Sequence, residues 1–421
     1  MKLQEILELI NNGDNLLFHG PGGTGKTFTI QQIYESFRDY KNIKMVTPTG
    51  IAAVNLHPDT VVINSLFRIP PIDISRHSDK EIESLILEIA KKNENNDKLI
   101  KLNLLIVDEI SMVGSFHLTV IDFVLKYIRN NSKPMGGVHV IFSGDYYQLC
   151  PVKDDWGFHS KVWDKLELKL VEFNDPKRYT NLETFEFLER LRKNKLTDSD
   201  RLLLESRKTA YENKEHKKAE IMPAVLYPTN RSVNEMNTKK LNKLPDALFT
   251  SVASDSFQIN ARFNKELVRN KAKKELDEMC PNIIEFKKGA KILLTKNIDI
   301  TLELVNGTLG KIEEINGENV LIKTEKGSRH WISKVIFSQE SKDYKANRSQ
   351  YPFKLAWAIT IHKCQGLTLN SAIIDLTNIF TKGQAYVGIS RVKNIENLFI
   401  IGRIDYGKIV ANTDLPKELE C

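Results

Sequence analysis

The chain has 421 residues, a formal net charge of +7, and 41% apolar against 27% charged residues. That length predicts two to four domains with ample chain for more than one core. No apolar run reaches the roughly eighteen residues a membrane-spanning helix needs, and the opening MKLQEILELINNGD carries acids inside its apolar stretch, unlike a secretory signal. The positive charge is compatible with a polyanionic partner. Cys150, Cys280, Cys364 and Cys421 are far apart, which predicts a reduced, intracellular protein without structural zinc.

In chain order, Leu3, Ile6, Leu7 and Ile10 recur at helical spacing, and Gly13-Asp14 turns into an expected strand over Asn15–His19. Gly20, Pro21, Gly22, Gly23, Thr24, Gly25, Lys26 and Thr27 then read GPGGTGKT, matching G-x-x-x-x-G-K-T. In such a loop the glycines let backbone N–H groups approach phosphates. Lys26 reaches the β- and γ-phosphates, Thr27 ligates Mg²⁺, and a helix is expected from about Lys26. The short apolar runs Ile43–Val46, Leu104–Val107 and Val138–Phe142 read as buried parallel strands with helical patterns between them. They predict a doubly wound α/β domain over 1–172. A surface insertion is expected at about 68–102, where two prolines precede a charged helix ending KKNENND.

A second α/β pattern comes in two pieces, at Ala224–Tyr227 and Lys354–Ile401, which sets a second domain at 173–235 and 350–421. Between them, 236–349 is expected to be an inserted domain. It holds a basic run over Arg262–Lys274, which reads as a solvated helix face or a DNA contact. Short strands joined at Asn306-Gly307, Asn316-Gly317 and Lys326-Gly327 follow and predict a small β-barrel.

The chemistry sits at strand ends. LLIVDE delivers Asp108 to hold Mg²⁺ through water and Glu109 to orient and deprotonate the attacking water. Glu109 favours hydrolysis over transfer to an acceptor. Gln148, just past Gly144-Asp145, is placed to contact the γ-phosphate. Arg178 and Arg391 are candidate arginine fingers, because phosphoryl transfer needs positive charge against the equatorial oxygens. Taken singly, each arginine reads as a solvated side chain.

Seven motifs in order then carry a family resemblance: GPGGTGKT, TPTGIAA, INSLF, IVDEISMV, FSGDYYQLCPV, ITIHKCQGLTL and YVGISRVKN. The chain resembles superfamily-one helicases of the RecD and PIF (petite integration frequency) type, most closely the PIF family, from the N-terminus to about residue 402. The resemblance implies two RecA-like P-loop motor domains with ATP between them, the inserted small barrel and a small helical or loop insertion. It implies ATP- and Mg²⁺-dependent 5′→3′ translocation on single-stranded DNA and unwinding of duplex or forked DNA, G-quadruplexes or RNA–DNA hybrids. Roles in repair, recombination and telomere maintenance accompany that activity.

By the same resemblance Lys26, Thr27, Asp108, Glu109, Gln148, Arg178, Gly366 and Arg391 serve the nucleotide, with Gln4 a candidate reader of adenine. Thr47, Pro48, Thr49, Asn64, Ser65, Phe67, Thr360, His362 and Lys363 are the expected strand contacts: hydroxyls, amides and lysine suit backbone phosphates, and the Phe67 ring suits either a base or the core, as His362 suits a strand contact or the core. Asn64, Cys150, Tyr179 and Cys364 depart from the family's usual histidine, proline, glutamine and serine. The expected protein acts as a monomer inside the cell, in the cytoplasm at the nucleoid if bacterial, with no membrane contact. Two other readings stand beside this one: an ATP-regulated single-strand nucleic-acid-binding or remodelling protein, and a P-loop enzyme of small molecules.

Overall fold

The computed structural model describes residues 3–49, 52–53, 56–70, 72, 74–151, 153–179, 181–218, 222–260, 265–299, 301–302, 304, 306–340 and 344–419. Arg262, Cys421 and part of TPTGIAA therefore lie outside the described residues. The chain forms two compact units, Met1–Leu203 with Ile379–Ile395 and Ile404–Cys421, and Leu204–Asn378 with Glu396–Arg403.

The first unit is built on β1 (Leu16–His19), β2 (Ile43–Thr47), β3 (Val61–Val62), β4 (Leu104–Asp108), β5 (His139–Gly144) and β6 (Lys169–Glu172). These form one parallel sheet of order β3-β2-β4-β5-β1-β6. Four of the strands lie where the apolar runs predict them. Their runs are nearly continuous because helices cover both faces of a parallel sheet, and alternate side chains divide between two cores. Leu16, Phe18, Leu104, Ile106 and Ile141 pack with Ile30 and Ile33 of helix Lys26–Phe37. Leu17, Leu105, Val107, Val140 and Phe142 pack with Val120, Ile121 and Val124 of helix Ser115–Arg129. The strands β3 and β6 were not legible in the sequence: one has two residues, and the other is an edge strand with a mostly exposed pattern.

The stretch 68–102 is knitted into the first core rather than laid on its surface. Helix Asp79–Lys92 opens with a reciprocal capping box between Ser78 and Glu81. It buries Ile86, Ile89 and Ala90 in the same core as helix Ser115–Arg129. Asn93 Nδ2 donates to Phe67 O at 2.7 Å, and Asn96 Nδ2 to Leu66 O at 3.3 Å.

The second unit holds a parallel sheet of order β18-β7-β19-β20, made of β7 (Ala224–Tyr227), β18 (Ala358–Thr360), β19 (Ala372–Asp375) and β20 (Leu398–Ile401). Its remaining strands are β8 (Phe249–Val252), β9 (Ser254–Ile259), β10 (Ile283–Phe286), β11 (Lys291–Leu294), β12 (Leu309–Asn316), β13 (Asn319–Thr324), β14 (Arg329–Ile332), β15 (Val335–Glu340), β16 (Tyr344–Gln350) and β17 (Phe353–Leu355). They pair as β10-β8, β14-β13-β12-β11-β17 and β15-β16-β9. The hairpin turns expected at Gly317 and Gly327 lie between β12 and β13 and between β13 and β14. The expected small barrel is an open antiparallel sheet among the described residues, because β14 and β17 remain its edges. The basic run lies on helix Lys265–Met279, which buries Ala272 and Leu276 against Tyr344 and Ala346 and leaves Lys265, Arg269, Lys271, Lys273 and Lys274 exposed.

One buried cation ties this unit together. Arg348, 0% exposed, donates from Nε and Nη2 to the Asp255 carboxylate, both at 2.7 Å, across the β16–β9 ladder. Its Nη1 reaches Asp277 on the basic helix and the Cys280 carbonyl, both at 2.6 Å. Hydrogen bonding to Asp255 raises its pKa above the ordinary arginine value. Removing one partner of a buried pair leaves the other uncompensated, so Arg348→Leu is expected to cost about 3 kcal/mol. Urea unfolding followed by circular dichroism checks this: the second unit should melt at lower denaturant.

Candidate active site

The carboxyl ends of parallel strands are where open α/β sheets place ligands, and here β1, β4 and β5 end together. Their register sets Asp108 beside Ser143 and His19 beside Gly144. The phosphate loop leaves β1 and runs into helix Lys26–Phe37, as the sequence predicts. Gly23, at φ +86°, is packed so closely that an added Cβ would lie 2.5 Å from Arg178 Cβ. Only glycine fits such a backbone so close to a neighbour.

Lys26 is buried and donates to the Gly20 and Pro21 carbonyls at 2.6 and 2.8 Å. Burial lowers its pKa, against the pull of Asp145, Glu109 and Asp108. Thr24 caps the loop by donating to Pro21 O at 2.9 Å. The Thr27 hydroxyl donates to Asp108 Oδ2 at 3.3 Å. Asp108 Oδ1 accepts from Ser143 Oγ at 2.7 Å and from the Glu109 amide at 3.0 Å. Burial raises the Asp108 pKa, a penalty that a cation beside it would offset. Hard oxygen donors of this kind suit Mg²⁺. Among the described residues, no cluster of three or more His, Cys, Asp or Glu offers another metal site. Glu109 follows at φ 55°, a left-handed conformation uncommon outside glycine.

Three side chains converge on the loop from elsewhere in this unit. A Cβ built on Gly22 would stand 3.6 Å from Arg178 Nη1, 3.6 Å from Arg391 Nη2 and 3.9 Å from Gln148 Nε2. Arg178 is held there by its own amide and that of Lys177, which donate to Gly23 O at 3.0 and 2.8 Å. Its Nη1 is buried without a hydrogen-bond partner, and burial and then Arg391 lower its pKa. The atypical Tyr179 donates its hydroxyl to Gly22 O at 2.9 Å. Arg391, 1% exposed, donates to Val387 O at 2.7 Å and Ser390 Oγ at 2.8 Å. The structure thus brings Lys26, Thr27, Asp108, Glu109, Gln148, Arg178 and Arg391 to one unit. Gln4 is exposed on helix Leu3–Asn11, and Gly366, at φ +79°, belongs to the other unit.

The expected strand contacts divide between the units. Thr47 is buried and donates to Thr49 O at 2.9 Å, and Thr49 Oγ1 accepts from the Ala52 amide at 3.3 Å. Pro48 and Asn64 are half-buried and Ser65 is exposed. Phe67 is fully buried with Ile63, Leu66 and Ile69. It is a core ring, with no face offered to a base. In the second unit Thr360 ends β18 and accepts from the Lys363 amide at 3.3 Å. Lys363 is exposed, and burial lowers the His362 pKa.

A family model described as "PIF1-like helicase" matches residues 3–201. The ATP-dependent DNA helicase Pif1 of Campylobacter jejuni is 30% identical, across 98% of this chain and 93% of its own length. The chain belongs to the PIF1-like helicase family. The Xenopus laevis helicase PIF1 is also 30% identical across 94% of this chain, which spans 60% of that relative's length. A crystal structure of Pif1 helicase from Bacteroides in complex with ADP-AlF3 and single-stranded DNA superposes with a TM-score of 0.66 at 26% identity, covering 97% of this chain and 93% of that one. Among the described residues, no helix is long and apolar enough to cross a membrane.

For this PIF1-like chain the sequence reading missed a polar cluster behind the loop: His19, Asp145, Arg192 and Tyr386. Asp145 stands inside the GD-x-x-QL motif and Tyr386 opens the YVGISRVKN motif, but Arg192 comes from a helix with no motif, and nothing in the sequence links the three. His19 Nε2 accepts from Arg192 Nη2 at 2.7 Å, which places the ring proton on Nδ1, buried without a partner. Burial drives the His19 pKa from 6.5 to about 3, against the pull of Asp145. The unfolded chain therefore binds the extra proton between those values. The stability His19 contributes is full above pH 6.5 and is lost as pH falls toward 3. Between pH 7 and 5 the wild type is expected to lose about 2 kcal/mol more than His19→Gln, measured as the pH dependence of urea midpoints for the two proteins.

Proposed function

We propose that this chain is an ATP-dependent DNA helicase that translocates 5′→3′ on single-stranded DNA and unwinds duplex or forked DNA. The observation that carries this reading is the convergence of Arg178, Arg391 and Gln148 on a phosphate loop whose Thr27 hydroxyl meets Asp108. Hydrolysis of a phosphoanhydride needs little covalent help, so catalysis is positioning and charge. Lys26 leaves the Gly20 and Pro21 carbonyls for the β- and γ-phosphate oxygens. Thr27 and Asp108 would hold Mg²⁺, which when bound neutralises charge shared between those oxygens. Glu109 takes a proton from the attacking water. Arg178 and Arg391 face the equatorial oxygens, and Gln148 contacts the γ-phosphate and registers its loss. The unpartnered Nη1 of Arg178, next to a second guanidinium, is a buried cation awaiting an anion, and a triphosphate supplies one.

The strand would be gripped by hydroxyls and amides around Thr47–Thr49 and Asn64–Ser65 in one unit and by Thr360, His362 and Lys363 in the other. The parallel sheets of the two units are the two motor domains in this reading, with the antiparallel sheets as the inserted domain. A monomer acting on intracellular DNA suffices for this cycle. Regulated binding without translocation is the alternative that the tests below separate.

Lys26→Ala and Glu109→Gln are each expected to lower ATP turnover on single-stranded DNA by about 10²-fold or more. Phosphate release measures it, and normal turnover in Lys26→Ala would overturn the nucleotide site. Strand displacement on matched 5′-tailed and 3′-tailed duplexes is expected to proceed only with the 5′ tail. Weak stimulation of turnover by single strands, with no displacement on either substrate, would instead mark a static binder.

A further inference from the structure

Behind the phosphate loop lies a buried carboxylate that the hydrolysis itself does not use. Asp145 is 0% exposed. Its Oδ1 accepts from Arg192 Nε at 3.0 Å and from the Tyr147 amide at 3.1 Å. Its Oδ2 accepts from the Tyr386 hydroxyl at 2.9 Å and from Gln148 Nε2 at 3.4 Å. Arg192 also pairs with Glu189 at 3.0 Å and lies over the Tyr147 ring, 4.4 Å from its centroid. The Gln148 bond is the longest of the four, and its Oε1 is buried without a partner.

Tyr386 sits on the short helix Gln384–Ile389, which presses on the same loop through a second contact. Gly383 precedes that helix at φ +75°, and a Cβ there would lie 2.7 Å from Tyr147 O and 2.6 Å from Gln148 O. Two residues beyond the helix, Arg391 reaches the phosphate loop beside Gly22 and stays tied to the helix through Val387 O. One end of the helix is thus fixed to the Asp145–Gln148 loop, and the chain leaving the other end carries the arginine.

We propose that Tyr386 and Asp145 are positioning residues that set Gln148 on the nucleotide. A fully buried carboxylate must stay hydrogen-bonded whatever its neighbours do. If Gln148 turns its amide toward the γ-phosphate, Asp145 loses its weakest donor but keeps Tyr386 and Arg192. The glutamine is therefore free to move at little cost. Arg391 keeps its place while Gln148 moves, because its bond to Val387 O and the close packing of Gly383 on the loop do not involve that amide. Without the tyrosine hydroxyl, Gln148 Nε2 becomes the remaining side-chain donor to Oδ2 and is retained there.

This inference rests on the nucleotide reading above, and a double-mutant cycle tests it. DNA-stimulated ATP turnover is measured for wild type, Tyr386→Phe, Gln148→Ala and the double variant, with kcat and KM separated. Tyr386→Phe is expected to lower kcat roughly 10-fold with KM changed by less than about 2-fold. In the Gln148→Ala background the same change is expected to cost less than about 2-fold, because the side chain it acts through is gone. Losses that multiply independently would overturn the proposal, as would a Tyr386→Phe effect confined to KM. Gly383→Ala reaches the same loop by different atoms and must show the same dependence on Gln148 if Tyr386→Phe does not fold. A wild type without ATP turnover would overturn the nucleotide reading, whereas an active wild type with independent losses would overturn only this inference.

Discussion

A carboxylate removed from water must be matched by donors, and Asp145 finds them in three stretches of chain that the sequence keeps far apart. Arg192 comes from the helix at 182–192, Tyr386 from the helix at 384–389, and the Tyr147 amide and Gln148 from its own loop. Burial opposes the charge, yet Arg192 holds the Asp145 pKa below the ordinary carboxylate value. Meeting that one charge draws residues 379–395 against the end of β5, and with them Arg391 to the phosphate loop.

The surrounding architecture follows from a second constraint. A parallel sheet covered on both faces has no room for chemistry along its strands, so the reactive groups gather where strands end. Thr47, Asp108 and Gly144 each stand at such an end, and His19 opens onto the phosphate loop. The groups there differ in electrostatic role. Lys26 and Arg178 are cations depressed by burial, and Asp108 is a carboxylate raised by it. Each is strained by its own desolvation, and a magnesium-bound triphosphate would relieve all three together.

Much of this was legible in residues alone. LLFH, IKMV, LLIV and HVIF are short, mostly apolar runs, and their place in a covered sheet needed no partner to be read. GPGGTGKT and LLIVDE carry their chemistry in consecutive positions, so spacing exposes it. Phe67 shows what residues alone left open: an aromatic in that motif suits either stacking or the core, and the ring is fully buried because Ile63, Leu66 and the stretch 68–102 close over it. The same stretch read as a surface flap because its charges are visible in sequence. Its Ile86, Ile89 and Leu99 contacts with a later helix are not.

The sequence by itself determined the phosphate loop, the carboxylate pair at 108–109, four strands of the first sheet and the family, since each is encoded within a few adjacent residues. Only the tertiary structure decided that Arg178 and Arg391 stand within reach of Gly22, that Tyr179 binds the loop carbonyl, and that Asp145, Arg192 and Tyr386 form one buried network. The physical reason is separation along the chain. Asp145 and Tyr386 lie 241 residues apart, and a hydrogen bond between such positions leaves no periodicity, spacing or composition for sequence to display.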